Sequence, residues 1–300
     1  MRHLKEFTRD EWIRLLPLQY GFKQLRNDVM QNVILRLRPK PLDKFLADNA
    51  HLKGGNIVQV VAFGQPWVLD FFLKMTGRHL ADATVLVFDN SSRASGRAEI
   101  ERVCRGHDVP YLGLPWNPTR HANRSHGIAM TWIFHHVVQA LQPARTGFID
   151  YDLIPTERIE LAKALGNQPF YGVTKISKWG WALWAGYCLF DFPTIRPLPL
   201  NFLYDFSRGL DTGGRNWNCL YQNYDRRRFQ FTEFKFEEVT DPTNGVLRKV
   251  ECVEDRWIHL RGVTYKNNFG RSADFFAHIA AAIGEGASLR QLLATMRPAR

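Results

Sequence analysis

Cysteine is scarce in this 300-residue chain, and its four copies, Cys104, Cys188, Cys219 and Cys252, lie far apart. They have neither the paired spacing of a zinc site nor the density of a secreted disulfide scaffold, so reduced, mostly buried thiols are expected. Long apolar runs are missing too. The longest, 179–190, falls short of the ~20 residues of a membrane-spanning helix and is expected to be core or pocket wall. The first residues mix Arg2 and Lys5 with Asp10 and Glu11 and hold no apolar segment, unlike a secretory signal, so a cytoplasmic location is expected. No low-complexity tract or internal repeat occurs, which excludes solenoids and disordered chains in favour of a packed globular one. Acidic residues are the short side of the charge balance, 29 against 40 Lys and Arg, for a formal charge of +11. That excess points to an anionic partner without choosing among a phosphorylated ligand, an anionic membrane surface and nucleic acid.

The chain is long enough for one large α/β domain with helical additions. Residues 1–55 read as a basic, helical N-terminal extension. Thr8 or Asp10 can cap a segment with apolar Trp12, Leu15, Leu16, Leu18 and Phe22, and a second piece at 25–37 is broken by Pro39 and Pro41 before Gly54-Gly55. From residue 56, buried strands at 57–63, 84–88, 111–114 and 147–149 alternate with helices at 67–77, 97–105 and 125–141. This order predicts a mainly parallel, Rossmann-like central sheet flanked by helices, with polar residues past the C-terminal strand ends lining a ligand crevice. Asp89, Asn90, Asp150 and Asp152 occupy such ends. Beyond Gly172 the pattern loosens: a strand pair is expected at 229–236 and 247–252, a strand at 256–260, and C-terminal helices at 273–283 and 288–296. The expected division is therefore an extension at 1–55, a core domain at 56–270 with halves 56–170 and 171–270, and helices at 271–300.

The most informative constellation is Phe148-Ile149-Asp150-Tyr151-Asp152. An i, i+2 spacing in extended chain turns both carboxylates to one side, where they can share a Mg²⁺ or Mn²⁺ ion that keeps positions open for phosphate oxygens. An isolated Asp-x-Asp recurs by chance as a polar strand end, so its place at the fourth strand of an alternating core carries the weight. Asp89-Asn90-Ser91-Ser92, after the strand 84–88, is a second cluster of short polar side chains, suited to base or ribose hydroxyls or to a helix-cap turn.

With Val60 to Trp67 as an opening strand and helix, these segments resemble the family-2-like glycosyltransferases of the GT-A fold, in the order that family uses, over roughly residues 56–220. The resemblance implies a GT-A-like enzyme that moves a sugar from a nucleotide-diphosphate donor to a glycan or lipid-linked hydroxyl acceptor, in the style of surface polysaccharide biosynthesis. It makes 56–170 the nucleotide-sugar half and 171–270 the acceptor half. It further implies donor contacts from Phe63, Gly64, Asp89 and Asn90, from Asn123, Arg124 and His126 at a helix start that favours anions, and from Asp150, with Asp150 and Asp152 on the metal. By likeness to other GT-A enzymes, His259 is a third metal ligand and Arg261 or Lys266 a phosphate clamp; a half-buried strand with a basic turn is the alternative.

The family's usual Glu-Asp pair is missing. In its place stand Asp205 and Phe206 to Arg215, in which Asp211, among glycines, is the preferred acceptor base, with Asp205 and Asp191 as substitutes. An Asp-Thr-Gly-Gly turn that caps its own backbone is the competing reading of Asp211, and a capping residue that of His126. Among Trp179, Trp181, Trp184 and Tyr187, core roles are expected for most and a pocket role for one or two.

Two other functions compete. Arg226-Arg227-Arg228 and the Arg36, Arg38 and Lys40 cluster fit a nucleic-acid binder, but no binding motif accompanies them, and nucleic acid is not the expected partner. A nucleotidyltransferase would share the acidic metal site and release pyrophosphate, whereas a methyltransferase is disfavoured because Phe63-Gly64-Gln65-Pro66 holds one glycine. The basic N-terminal helices are candidates for peripheral contact with the inner face of an anionic membrane, a solvated helical face being the alternative.

Overall fold

The structure is a computed structural model that describes residues 1–260 and 266–297, with the side chains of 266–273 left undescribed. Its centre is a six-stranded mixed sheet. β1 (Asn56–Ala62), β2 (Thr84–Asp89), β3 (Tyr111–Gly113) and β4 (Arg145–Ile149) run parallel in the order β3-β2-β1-β4. Next, β5 (Leu153–Pro155) joins a second sheet; β6 (Phe170–Ser177) and β7 (Gly180–Asp191) complete the first, β7 antiparallel to β4 and β6 antiparallel to β7. The second sheet adds β8 (Phe234–Thr240), β9 (Leu247–Val253) and β10 (Trp257–His259), in the antiparallel order β5-β10-β9-β8.

β1 shows why the central strands sit where they do. Its side chains alternate between two apolar layers: Val58, Val60 and Ala62 join one, Ile57 and Val61 the other. A strand covered on both faces reads as a continuous apolar run, as this one does. The lone polar residue, Gln59, is fully buried and its Oε1 accepts the Thr146 hydroxyl of β4 at 2.9 Å.

The helices are α1 (Arg9–Ile13), α2 (Leu16–Leu35), α3 (Leu42–Asp48), α4 (Pro66–His79), α5 (Ala94–Gly106), α6 (Ala122–Ile133), α7 (Gln139–Leu141), α8 (Leu161–Leu165), α9 (Phe192–Ile195), α10 (Lys266–Gly284) and α11 (Leu289–Thr295). α4 and α5 cover one face of the sheet with Phe72, Met75 and Ile100; α6 covers the other with Ile128, Trp132 and Ile133.

Several sequence expectations shift. Thr8 does cap α1, in a capping box with Glu11, but the break falls at Leu15 (φ 53°) and α2 then runs unbroken through Leu25. The helix expected at 125–141 starts at Ala122 and carries a π turn at Phe134–Val138, where His135 and His136 reach the Leu200 and Leu35 carbonyls. The strand expected from 229 begins at Phe234, because Phe229 and Phe231 pack around Phe170 instead. The 179–190 run is β7, and β6 with β7 extends the sheet that residues before 170 begin.

Candidate metal centre and cleft

β4 ends at Ile149, and the Asp150 carbonyl accepts the Leu153 N–H at 2.9 Å. Residues 150–153 are therefore a tight turn, not the extended chain expected from spacing. The turn still brings the Asp150 and Asp152 carboxylates together, while Tyr151 between them is buried with its hydroxyl donating to the Phe63 carbonyl at 2.9 Å. The same turn passes the chain into the second sheet, where register supplies the next groups. Leu153 of β5 pairs with His259 of β10, and His259 pairs with Glu251 of β9. The Leu260 N–H also donates to the Asp152 carbonyl at 2.8 Å.

This places His259 Nε2 3.4 Å from Asp152 Oδ1 and His259 Nδ1 3.3 Å from Glu251 Oε1. One ligand atom each from Asp150, Asp152 and His259 lies within 4.8 Å of the others. His126 of α6 adds its Nε2 3.6 Å from Asp150 Oδ1.

The electrostatics follow from gathering carboxylates in a half-enclosed corner. Burial raises the Asp150 carboxyl above its ordinary range, His126 lowers it, and the neighbouring Asp152 raises it further. Burial alone would lower His259, but the facing Asp152 and Glu251 carboxylates outweigh it and push the imidazole up to about 10. Two carboxylates that need a counter-charge, with an imidazole beside them, form a donor set that fits Mn²⁺ or Mg²⁺.

Gly186 of β7 makes the corner possible. Its carbonyl accepts the Asp150 N–H at 3.0 Å, and a Cβ at this position would overlap both the Trp184 ring and Asp150 Oδ2.

A cleft of about 770 Å³ opens over these groups. Asn90, Asn123, His126, Lys175, Trp184 and Asp211 are among the residues that line it, with Phe63, Phe234 and Phe236. Trp184 packs 5.1 Å from the His259 ring and 4.8 Å from Phe234, centroid to centroid, so aromatic faces back the metal corner. Of the four crowded aromatics, Trp184 is the one at the cleft; Trp181 and Tyr187 are buried, and the Arg2 guanidinium stacks on Trp179. Phe63 and Trp116 stand exposed at the rim. Asn123 Nδ2 donates to Asp211 Oδ1 at 2.8 Å, and the Thr212 N–H donates to the same oxygen at 2.8 Å. Asp211 thus both caps its own turn and faces the cleft.

Other candidates lie elsewhere. Asp89 is fully buried: its Oδ1 accepts the Ser91 N–H at 2.7 Å and its Oδ2 the Tyr111 hydroxyl at 3.1 Å, so it braces the β2 turn. Gly64, at φ +61°, donates its N–H to Ser91 Oγ and ties the β1 and β2 ends together. Arg124 turns away from the cleft, its Nε donating to the Tyr204 hydroxyl at 3.4 Å. Asp205 is enclosed too. Its Oδ1 accepts the Ser207 hydroxyl at 2.6 Å, and its Oδ2 lies 3.6 Å from the N-terminal ammonium and 3.9 Å from Arg208 Nε, so its contacts tie chain segments together. Asp191 caps α9 through Thr194. Arg261 lies outside the described residues, and Lys266 opens α10 with its side chain undescribed.

Sequence reasoning missed Glu251, Lys175 and Gly186. A glycine inside an apolar strand is a recognised sign of close approach and was the one available signal.

Neither a family model nor a curated protein matches the sequence. Among solved structures, part of the chain is similar to the bifunctional glycosyltransferase WbbM at 12% identity, over 47% of this chain and 32% of that one, with a TM-score of 0.33. Galactosyltransferase LgtC, in complex with donor and acceptor sugar analogs, is similar at 14% identity over 47% of this chain and 59% of its own, with a TM-score of 0.34. Mannosyltransferase PcManGT from Pyrobaculum calidifontis, in complex with GDP-Man and Mn²⁺, is similar at 11% identity over 59% of this chain and 56% of its own, with a TM-score of 0.36. The chain thus spans less than two thirds of each of these structures.

Proposed function

We propose that the chain is a metal-dependent glycosyltransferase that moves a sugar from a nucleotide-diphosphate donor to a hydroxyl acceptor, a glycan or a lipid-linked one, in surface polysaccharide or glycoconjugate assembly. One observation carries the reading: His259, more than 100 residues further along the chain, comes beside the Asp150 and Asp152 pair so that one ligand atom from each lies within 4.8 Å of the others, in the wall of a cleft large enough for a nucleotide sugar. The ordered landmarks of the sequence, from Val60 to Asp152, agree with it.

Mn²⁺ or Mg²⁺ held there would neutralise the charge that develops on a departing diphosphate. The chain's own groups supply the rest. Lys175 at the cleft wall adds positive charge beside the phosphates, and the rim aromatics Phe63 and Trp116 offer faces to the base. Trp184, Phe234 and Phe236 shape the sugar side and exclude water. Asp211 has one carboxylate oxygen fixed by Asn123 and Thr212, which orients the other toward an acceptor hydroxyl as general base.

A thermal-shift screen of nucleoside diphosphates and their sugars, with and without Mn²⁺, tests the proposal. Stabilisation that needs both ligand and metal is the expected result, and no metal-dependent stabilisation by any of them would sink it. Release of pyrophosphate rather than nucleoside diphosphate on turnover would transfer the site to nucleotidyl transfer.

A further inference from the structure

A surface helix ordinarily turns its apolar stripe inward and its polar face to water. α4 does so, burying Val68, Phe72 and Met75 and exposing Asp70 and Lys74. α2 instead leaves a second apolar stripe in the open. Leu18, Phe22, Leu25, Val29 and Val33 recur in steps of three and four that form one stripe, and each is 55% to 70% exposed. Its buried face is mixed: Ile34 and Pro17 are buried with Met30 and Leu35 packed beside the core, while Asn27 and Gln31 are enclosed as well, Asn27 Nδ2 donating to the Tyr204 hydroxyl at 3.2 Å, and Asp28 pairs with Arg215. Ile13 and Leu15 before the helix and Leu37 after it lengthen the exposed apolar surface. A patch this continuous marks a covered surface rather than scattered apolar residues.

Charge selects what covers it. Arg14, Arg26, Arg36 and Lys40 are exposed along this helix and its ends, and none of them has an ion-pair partner among the described residues. The one acid of α2, Asp28, is taken by Arg215. A second copy docked on the same face would oppose one cationic row to another. An anionic surface complements it.

We propose that α2 docks the chain on an anionic phospholipid bilayer, lying in the headgroup plane with its apolar stripe at the acyl boundary and its cations on lipid phosphates. The helix lies on the bilayer rather than crossing it, as no described helix is long and apolar enough to span a membrane. α2 packs against α6, whose first turn supplies Asn123 and His126 to the cleft, so docking holds the cleft beside the lipid surface. The inference stands apart from the sugar-transfer reading, because lipid binding needs neither donor nor turnover.

Flotation of the full chain with vesicles of phosphatidylcholine alone, or with roughly 30% phosphatidylglycerol, tests it. The expected result is uptake by the anionic vesicles at least ~10-fold above the neutral ones, weakening with salt. Phe22→Ser with Val29→Ser should lower uptake by ~10-fold or more at an unchanged melting temperature, since both side chains are already exposed. Arg26→Glu with Arg36→Glu should erase the preference for anionic lipid. No uptake by anionic vesicles overturns the proposal. So does a dimer in sedimentation velocity that Phe22→Ser with Val29→Ser dissociates while no vesicle binds, which would assign the face to a second copy.

Discussion

β2 and β4 both lie parallel against β1, and each delivers an aspartate at its C-terminal end, yet Asp89 and Asp150 meet opposite surroundings. The Asp89 carboxylate is closed off by two donors, the Ser91 N–H and the Tyr111 hydroxyl. The Asp150 side chain keeps 27% of its surface exposed and faces a second carboxylate and two imidazoles. Burial raises both carboxyls above the ordinary range. What separates them is whether the neighbouring turn brings hydrogen-bond donors, which satisfy a carboxylate, or like charge, which leaves room for a cation.

The strongest way to break this contrast is Asp150→Asn with Asp152→Asn. Nucleoside-diphosphate binding that depends on Mn²⁺ should vanish in calorimetry, and sugar transfer should fall at least ~10³-fold. Retained metal-dependent binding would show that the β4 corner is as structural as the β2 corner. Asp211→Asn extends the contrast across the cleft: turnover should fall ~10²-fold or more while donor binding persists, whereas Asp205→Asn should lower the melting temperature and leave turnover per folded molecule intact. Equal turnover losses in the two variants would remove Asp211 as the base.

His259→Gln asks whether the imidazole is part of the difference. Metal affinity should drop ~10–100-fold with the fold preserved, as read by Mn²⁺ titration. Gly186→Ala tests the backbone support of Asp150: the added methyl should destabilise the protein by ~1–3 kcal/mol and weaken Mn²⁺ binding, and a variant that melts normally would show that Trp184 yields freely.

The smallest effect belongs to the β2 side. Because the Asp89 carboxyl is raised in the folded state, the folded protein favours its proton. That contribution is fully present below the ordinary carboxylate range and is lost as pH rises through the raised folded value. Asp89→Asn should remove this slope in urea melts across mildly acidic to neutral pH and leave metal binding unchanged. An unaltered slope would mean that other groups carry it.

Much of the core was legible because its local chemistry was consistent. Buried strands such as 57–63 and 84–88 appear as β-branched runs, and helices 67–77 and 97–105 follow with their own period, so the alternating order could be read. The 179–190 run could not be resolved into β7, since a continuous apolar stretch has no period to separate strand from helix. Asp205 and Arg124 looked as suitable for a site as Asp211 and His126. Their side chains were committed instead to the chain's own N-terminus and to Tyr204.

By itself, then, the sequence determined the α/β alternation and the acidic pair after the fourth strand, because each rests on residues near one another in the chain. Only the tertiary structure decided that Asp150 to Leu153 is a turn, that β10 sets His259 against Asp152 and Glu251, and that Gly186 clears space beside Asp150. The last two depend on strands distant in the chain coming into register, β7 on β4 and, across more than 100 residues, β10 on β5, and register is set by which apolar faces pack together rather than by local propensity.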